Sequence, residues 1–196
     1  MRAPVGLVWE DEGVARASSR IATPGDMIRS LAVILIPVVI ITYFFTRTPD
    51  APVKTVEWTP VLAQARDQAP FEVLAPRAVP QDWRATKASW VAQGRPGLNG
   101  DPSPRNLWQL GFLDSTDTYI ELDQGDLPGS DLVADKTRKG LPDGQSTVQG
   151  QVWERLVSED ERTRSLVMAS AALTTIVSGD LPYADLESFA GTLAAD

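Results

Sequence analysis

The 196-residue chain contains no cysteine and no histidine. Without cysteine it has no disulfides, no thiol nucleophile and no Cys-ligated zinc or iron–sulfur site. Without histidine it lacks the commonest metal ligand, the usual general base near neutral pH, and any Ser-His-Asp or Cys-His triad. Basic residues are scarce as well: 18 Lys+Arg face 26 Asp+Glu, for a net charge of −8. Unspecific nucleic-acid binding needs a basic surface, so no nucleic-acid partner is expected. Phosphate loops are missing too. No Gly-x-Gly-x-x-Gly occurs, and Gly140-Leu141-Pro142-Asp143-Gly144 lacks the Lys of a Walker loop. No cofactor is expected.

What the chain does have is one long apolar run, from Ser30 to Thr46, uncharged and flanked by Arg29 and Arg47. Thr23-Pro24-Gly25-Asp26 reads as an N-cap, a proline at the first helical position and an early acidic residue. A helix over 24–46 is about 34 Å long, enough for the ~30 Å hydrocarbon core of a bilayer. Arg29, Ser30 and Leu31 then mark its near end. Pro37 sits mid-helix, where membrane helices tolerate it, and Tyr43, Phe44 and Phe45 suit the far interface, with Arg47 snorkelling outward. A core helix would not be apolar on every face over this length. A cleaved signal peptide would end in small residues, which Phe45-Thr46-Arg47-Thr48-Pro49 does not supply. An uncleaved single-pass anchor in the cytoplasmic (cell) membrane is the expectation.

Arg2, Arg16, Arg20 and Arg29 precede the run, against only Arg47 and Lys54 just after it. This mild bias places the N-terminus in the cytoplasm and the C-terminal part outside. Glu10, Asp11, Glu12 and Asp26 neutralise the four leading arginines, so the whole −8 falls on the outer part.

The expected organisation is a disordered cytoplasmic tail at 1–23, with Trp9 its only aromatic residue, a transmembrane helix at 24–46, a tether at 47–57, and an extracytoplasmic domain at 58–196. That last part is long enough for its own core. Thr59-Pro60 opens a helix to Gln68. Strands are expected at Arg84–Ala92, Leu107–Leu113 and Thr118–Gln124, the last two joined by the loop Asp114–Asp117. A helix around Asp131–Lys139, capped by Asp131, precedes a turn at Pro142-Asp143-Gly144. Further strands follow at Thr147–Val157, Thr163–Ala169 and Leu173–Ser178. The final helix carries a stripe of Tyr183, Leu186, Phe189, Ala190 and Leu193. The fold class is α+β: an N-terminal transmembrane helix, then an antiparallel sheet of about five or six strands with a few helices. Gln93–Arg105, rich in Pro and Gly, is a long loop of the kind that often carries function.

The layout resembles the actinobacterial single-pass proteins grouped as domain of unknown function 4245. The likeness rests on Asp26-Met27-Ile28-Arg29-Ser30-Leu31, Ala75-Pro76, Val79-Pro80 and Trp83-Arg84. It continues through Gly111-Phe112, Tyr119-Ile120-Glu121-Leu122 and Val152-Trp153 to Thr174-Thr175-Ile176-Val177-Ser178-Gly179 before a terminal helix. The resemblance implies a membrane anchor and an outer α+β domain. It implies no activity, because that family is uncharacterised.

Three constellations bear on chemistry. Glu121 and Asp123 share a strand face with Tyr119, and Asp126 follows; such hard oxygens would hold Ca²⁺ or act as an acid–base pair. The expected reading is plainer, a solvent-facing strand whose Ile120 and Leu122 are buried. Lys87 and Ser89 share a face but lack any surrounding catalytic motif. Of the outer tryptophans, Trp90, Trp108 and Trp153 read as core, whereas Trp58 and Trp83, near Pro60 and Pro80, read as a surface patch or membrane contact.

The function expected is a non-enzymatic, membrane-anchored accessory domain of the cell envelope that binds a protein partner or envelope ligand. An alternative is a carrier for a lipid or other apolar ligand, held in a cavity among Trp90, Trp108, Phe112 and Phe189. A His-free carboxylate hydrolase ranks last.

Overall fold

The computed structural model describes residues 24–46, 53–97, 100–126 and 129–195. The expectations for the tail, for Arg47 and for the first part of the tether lie outside the described residues. The chain divides into two compact units, Met1–Pro52 and Val53–Asp196.

The first unit contains α1, Pro24–Thr46, with the bounds expected and with Pro37 inside it. Thr42 donates its hydroxyl hydrogen to the Val38 carbonyl, one turn earlier, at 2.8 Å. Its large apolar side chains are exposed on all sides, from Leu31, Val33 and Ile34 to Ile41 and Tyr43. The side chains of Asp26, Phe44, Phe45 and Thr46 lie outside the description, which leaves Met27–Tyr43 as its longest continuous stretch. Among the described residues, no helix is long and apolar enough to cross a membrane. The expected helix is present with its expected bounds.

The second unit is α+β. Its helix α2, Thr59–Gln68, starts with Pro60 in the first turn and buries Leu62 and Ala65, as the sequence pattern predicts. A short strand β1, Ala75–Pro76, leads to β2, Arg84–Val91, β3, Leu107–Leu113, and β4, Tyr119–Asp126. Helix α3, Ser130–Lys136, carries the chain to β5, Leu141–Val148, β6, Gln151–Val157, β7, Arg164–Ala169, and β8, Leu173–Gly179. Helix α4, Tyr183–Ala190, and β9, Leu193–Ala194, complete it.

Seven strands form one antiparallel sheet in the order β2-β3-β4-β8-β7-β6-β5. Two meanders, β2-β3-β4 and β5-β6-β7-β8, meet at the β4–β8 pair. The separate β1–β9 ribbon pairs Ala75 with Ala194 and Pro76 with Leu193.

Seven strands replace the five or six expected because Thr147–Val157 is two strands. Gln149 and Gly150 have φ of 52° and 78°, and this two-residue turn folds β5 onto β6. Pro142-Asp143-Gly144, expected as a turn, lies inside β5 as a bulge. Asp131, expected as an N-cap, sits in the first turn of α3, while Gly129 takes the cap position without a side-chain bond. Leu193, expected on the last helical stripe, is in β9.

Alternation divides the sheet chemically. On one face Trp108, Leu110, Phe112, Ile120, Leu122, Leu166 and Val177 are fully buried beneath α2 and α4. In β2 a bulge between Ala85 and Lys87 shifts the phase, so Ala85, Ala88 and Trp90 join this core. Buried Gln124 on the same face accepts from the Leu74 amide at 2.7 Å, and the Trp108 indole donates to the Leu74 carbonyl at 3.0 Å. These two bonds fasten the segment before β1 to the sheet. On the other face Leu132 of α3 packs with Leu156, Val167 and Ile176 in a smaller cluster. The outer side of β2 is met by the Val56 amide, which donates to the Ala85 carbonyl at 2.9 Å.

Gly179 stands at the centre of this architecture, where a Cβ would come within 2.7 Å of the Tyr119 carbonyl oxygen. Backbone cannot yield as a side chain can. Gly179→Ala is expected to lower unfolding free energy by about 2 kcal/mol, the cost of overpacking, measured by denaturant titration.

Candidate functional site

Residues that bear chemistry collect in two places, one on each face of the sheet.

Under α3, period-two alternation aligns Lys87, Gly111 and Glu121 in one row across β2, β3 and β4, and Gln109 with Asp123 in the next. This face was expected to meet solvent. It does not: Asp123 is fully buried and Glu121 nearly so, because α3 lays Lys136 over them. The Lys136 ammonium lies 2.8 Å from Asp123 and 3.1 Å from Glu121, whose other cation is Lys87 at 2.5 Å. Gln109 donates to Asp123 Oδ1 at 2.7 Å, while Asp123 Oδ2 finds no hydrogen-bond partner among the described residues. The Tyr119 ring crosses Gly111, where a Cβ would strike it.

Burial dominates the electrostatics. It pushes Asp123 up, and the neighbouring Glu121 charge pushes it further, to about 7, against the pull of Lys136 and Gln109. Burial would raise Glu121 also, yet Lys136 and Lys87 together hold it below its ordinary value. Burial would lower Lys136, and the two carboxylates outweigh it and raise it. Burial and the same two carboxylates raise Tyr119.

The structure thus brings Glu121 and Asp123 together and separates Asp126 from them. Asp126 accepts from the Asn106 backbone and side-chain amides at 2.8 and 2.6 Å. The three do not form a calcium cradle, and among the described residues no group of metal-binding side chains converges. Lys87 and Ser89 share a face as expected, but Lys87 is engaged by Glu121. Two clefts border the network. One of about 580 Å³ is lined by Tyr119, Glu121, Lys136, Arg138, Arg162 and Asp180. The other, about 350 Å³, runs beside the long loop past Lys87, Gln109 and Lys136, and its carboxylates are Asp101 and Asp135.

The second place is on the opposite face, where the segment before β2 passes α4. Trp83 stacks on Phe189, ring centroids 5.8 Å apart and planes 19° from parallel, and both rings pack on Phe112. Ala78, Val79, Pro80 and Leu181 extend this apolar floor into an open cleft of about 360 Å³. Asp114, from the β3–β4 loop, and Asp185, from α4, are its charged lining residues. Slight burial raises Asp114, but bonds from Thr118 and Thr116 outweigh it and keep it below its ordinary value, so it stays ionised.

Trp58 and Trp83, expected at the surface, are half-buried: each packs on Phe112 at 6.1 Å while also lining a cleft. Trp108 and Trp153 are core, and half-buried Trp90 donates its indole N–H to Gln68 at 3.0 Å. Trp108 and Phe112 are fully buried and Phe189 nearly so, and half-buried Trp90 packs against the same core. Sequence reasoning missed Lys136 and most of the cleft. Its one signal was apolar residues without period, Ala78-Val79-Pro80 and Leu181, in segments that are neither helix nor strand.

A family model described as protein of unknown function (DUF4245) matches residues 20–193. The chain belongs to this family. No curated protein matches it. Among solved structures it is similar to a chain of the Pseudomonas aeruginosa MucA/MucB complex, with 12% identity and a TM-score of 0.35 over 63% of this chain and 35% of that one. It is similar also to a chain of MucB in complex with MucA(peri), with 13% identity and a TM-score of 0.34 over 63% and 37%. The DUF4245 chain therefore spans little more than a third of those chains, and at this fit the likeness carries no argument about partners.

The ion-pair network makes two predictions. Asp123 holds its proton in the folded state to about pH 7 but loses it near 4 when unfolded, so between these values it makes stability fall as pH rises. Asp123→Asn is expected to flatten that decline in denaturant titrations of the full chain. Lys136→Met leaves two buried carboxylates without their shared cation and is expected to cost about 3 kcal/mol. Amide exchange should rise most over Ser130–Lys136.

Proposed function

We propose that this DUF4245 protein is a membrane-anchored, non-enzymatic accessory domain of the cell envelope, carried outside the cytoplasmic membrane, and that it binds a protein partner at the cleft floored by Trp83 and Phe189. The cleft is the observation that carries the reading: an open apolar floor on which half-buried Trp83 lies stacked on Phe189. The uncharged run from Ser30 to Thr46 and the mild arginine bias ahead of it support the anchor and its orientation.

The non-enzymatic part rests on the acids. Asp123 has no exposed surface to offer a substrate, and Glu121 is held between two lysines. Such a cluster ties a helix to a sheet. The carrier reading would hold its ligand among Trp90, Trp108, Phe112 and Phe189, and of these Trp108, Phe112 and Phe189 are buried in the core.

Two measurements test this. Alkaline carbonate should leave the full chain in the membrane pellet, and added protease should reach residues 53–195 from outside the cell. A photo-crosslinking amino acid at Ser188, on the cleft, should yield a discrete protein adduct in native membranes. That adduct should be absent with the same group at exposed Glu154 and lost in Ala78→Glu, which puts a charge into the cleft. A lipid adduct at Ser188 would favour the carrier instead.

A further inference from the structure

We infer that the segment captured by this cleft is apolar and carries positive charge: a stretch of a partner chain with leucine- or phenylalanine-like side chains flanked by lysine or arginine. The inference rests on the partner-binding reading above and adds the chemistry of the occupant.

The cleft itself specifies two properties. Its floor is made of Ala78, Val79, Pro80, Trp83, Leu181 and Phe189, which offer shape and apolar area and almost no hydrogen bonding. Its volume, about 360 Å³, lies at the small end of ligand pockets and suits a few side chains in place of a whole helix face. The charged residues on its lining are both acidic, Asp114 and Asp185, with no lysine or arginine among them.

These carboxylates are available. Asp185, exposed in the first turn of α4, makes no ion pair among the described residues. Asp114 is locked in place by amides of its own loop, which leave it charged without neutralising it. Arg84, which follows Trp83 in the chain, pairs with Asp117. Asp82, exposed next to Trp83, adds a third negative charge close to the apolar floor. An acidic segment would meet unpaired like charges at this site, and a basic one would meet complementary charges at the rim of a dry floor.

Fluorescein-tagged hexapeptides and the full chain in lipid nanodiscs test the inference by anisotropy. Leu-Lys-Phe-Leu-Lys-Leu should bind roughly three- to tenfold more tightly than the same peptide with glutamate for lysine, as expected for a few exposed charge pairs. The gap should narrow as salt rises and in Asp185→Asn. Ser188→Lys, at an exposed position on the cleft, should narrow it further. A peptide keeping the lysines but with serine for every apolar residue should not compete. If it competes equally, the attraction is that of an acidic surface and the inference is overturned. If the lysine and glutamate peptides bind alike and Ser188→Lys weakens neither selectively, the charge requirement is wrong while partner binding stands. If no peptide binds and the Ser188 adduct is lipid, both readings fall.

Discussion

One ammonium group organises half of this domain. Lys136 reaches from the last turn of α3 to two carboxylates of β4, and without it the strand face bearing Glu121 and Asp123 could not be covered. Two adjacent buried acids repel each other and resist leaving water, so a helix docks on them only if it brings the compensating charge. The compensation is incomplete. Asp123 retains an oxygen without a hydrogen-bond partner among the described residues and holds its proton to about pH 7. The network therefore specifies where α3 sits more than it stabilises the fold, while Leu132 against Leu156, Val167 and Ile176 supplies the apolar contact.

The same strand shows how one alternating sequence serves two environments. Ile120, Leu122 and Gln124 face the large core, and Tyr119, Glu121 and Asp123 face α3. Since the two meanders join at β4 and β8, this strand lies where both layers of the fold press on the sheet. Gly179 belongs to that junction, and its missing side chain lets β8 approach β4. The apolar side then reaches solvent beside α4 through half-buried Trp83, which stacks on buried Phe189.

Much of this was legible in the residues. The bounds of α1, α2 and β3 follow from clean patterns with clear punctuation: proline at the start of each helix and a strict alternation through Trp108, Leu110 and Phe112. Misreadings arose where local chemistry had more than one use. Pro142-Asp143-Gly144 has the composition of a turn and makes a bulge, and Gln149-Gly150 makes a turn although glutamine is a weak signal for positive φ. Glu121 and Asp123 looked solvent-facing because strand periodicity cannot see a later helix that folds back over the strand. The cleft was the least legible feature. Its floor comes from a coil, a loop and one face of α4, and no periodicity spans the three.

The edges of the seven-stranded sheet carry a last consequence. At one side the backbone of Val56 already occupies a hydrogen-bonding position on β2, and at the other β5 is broken by Pro142 and the bulge at Asp143-Gly144. Unpaired strand edges invite other strands. With one rim occupied and the other interrupted, copies crowded side by side are poor templates for each other. The sheet can grow large without becoming the seed of a fibre.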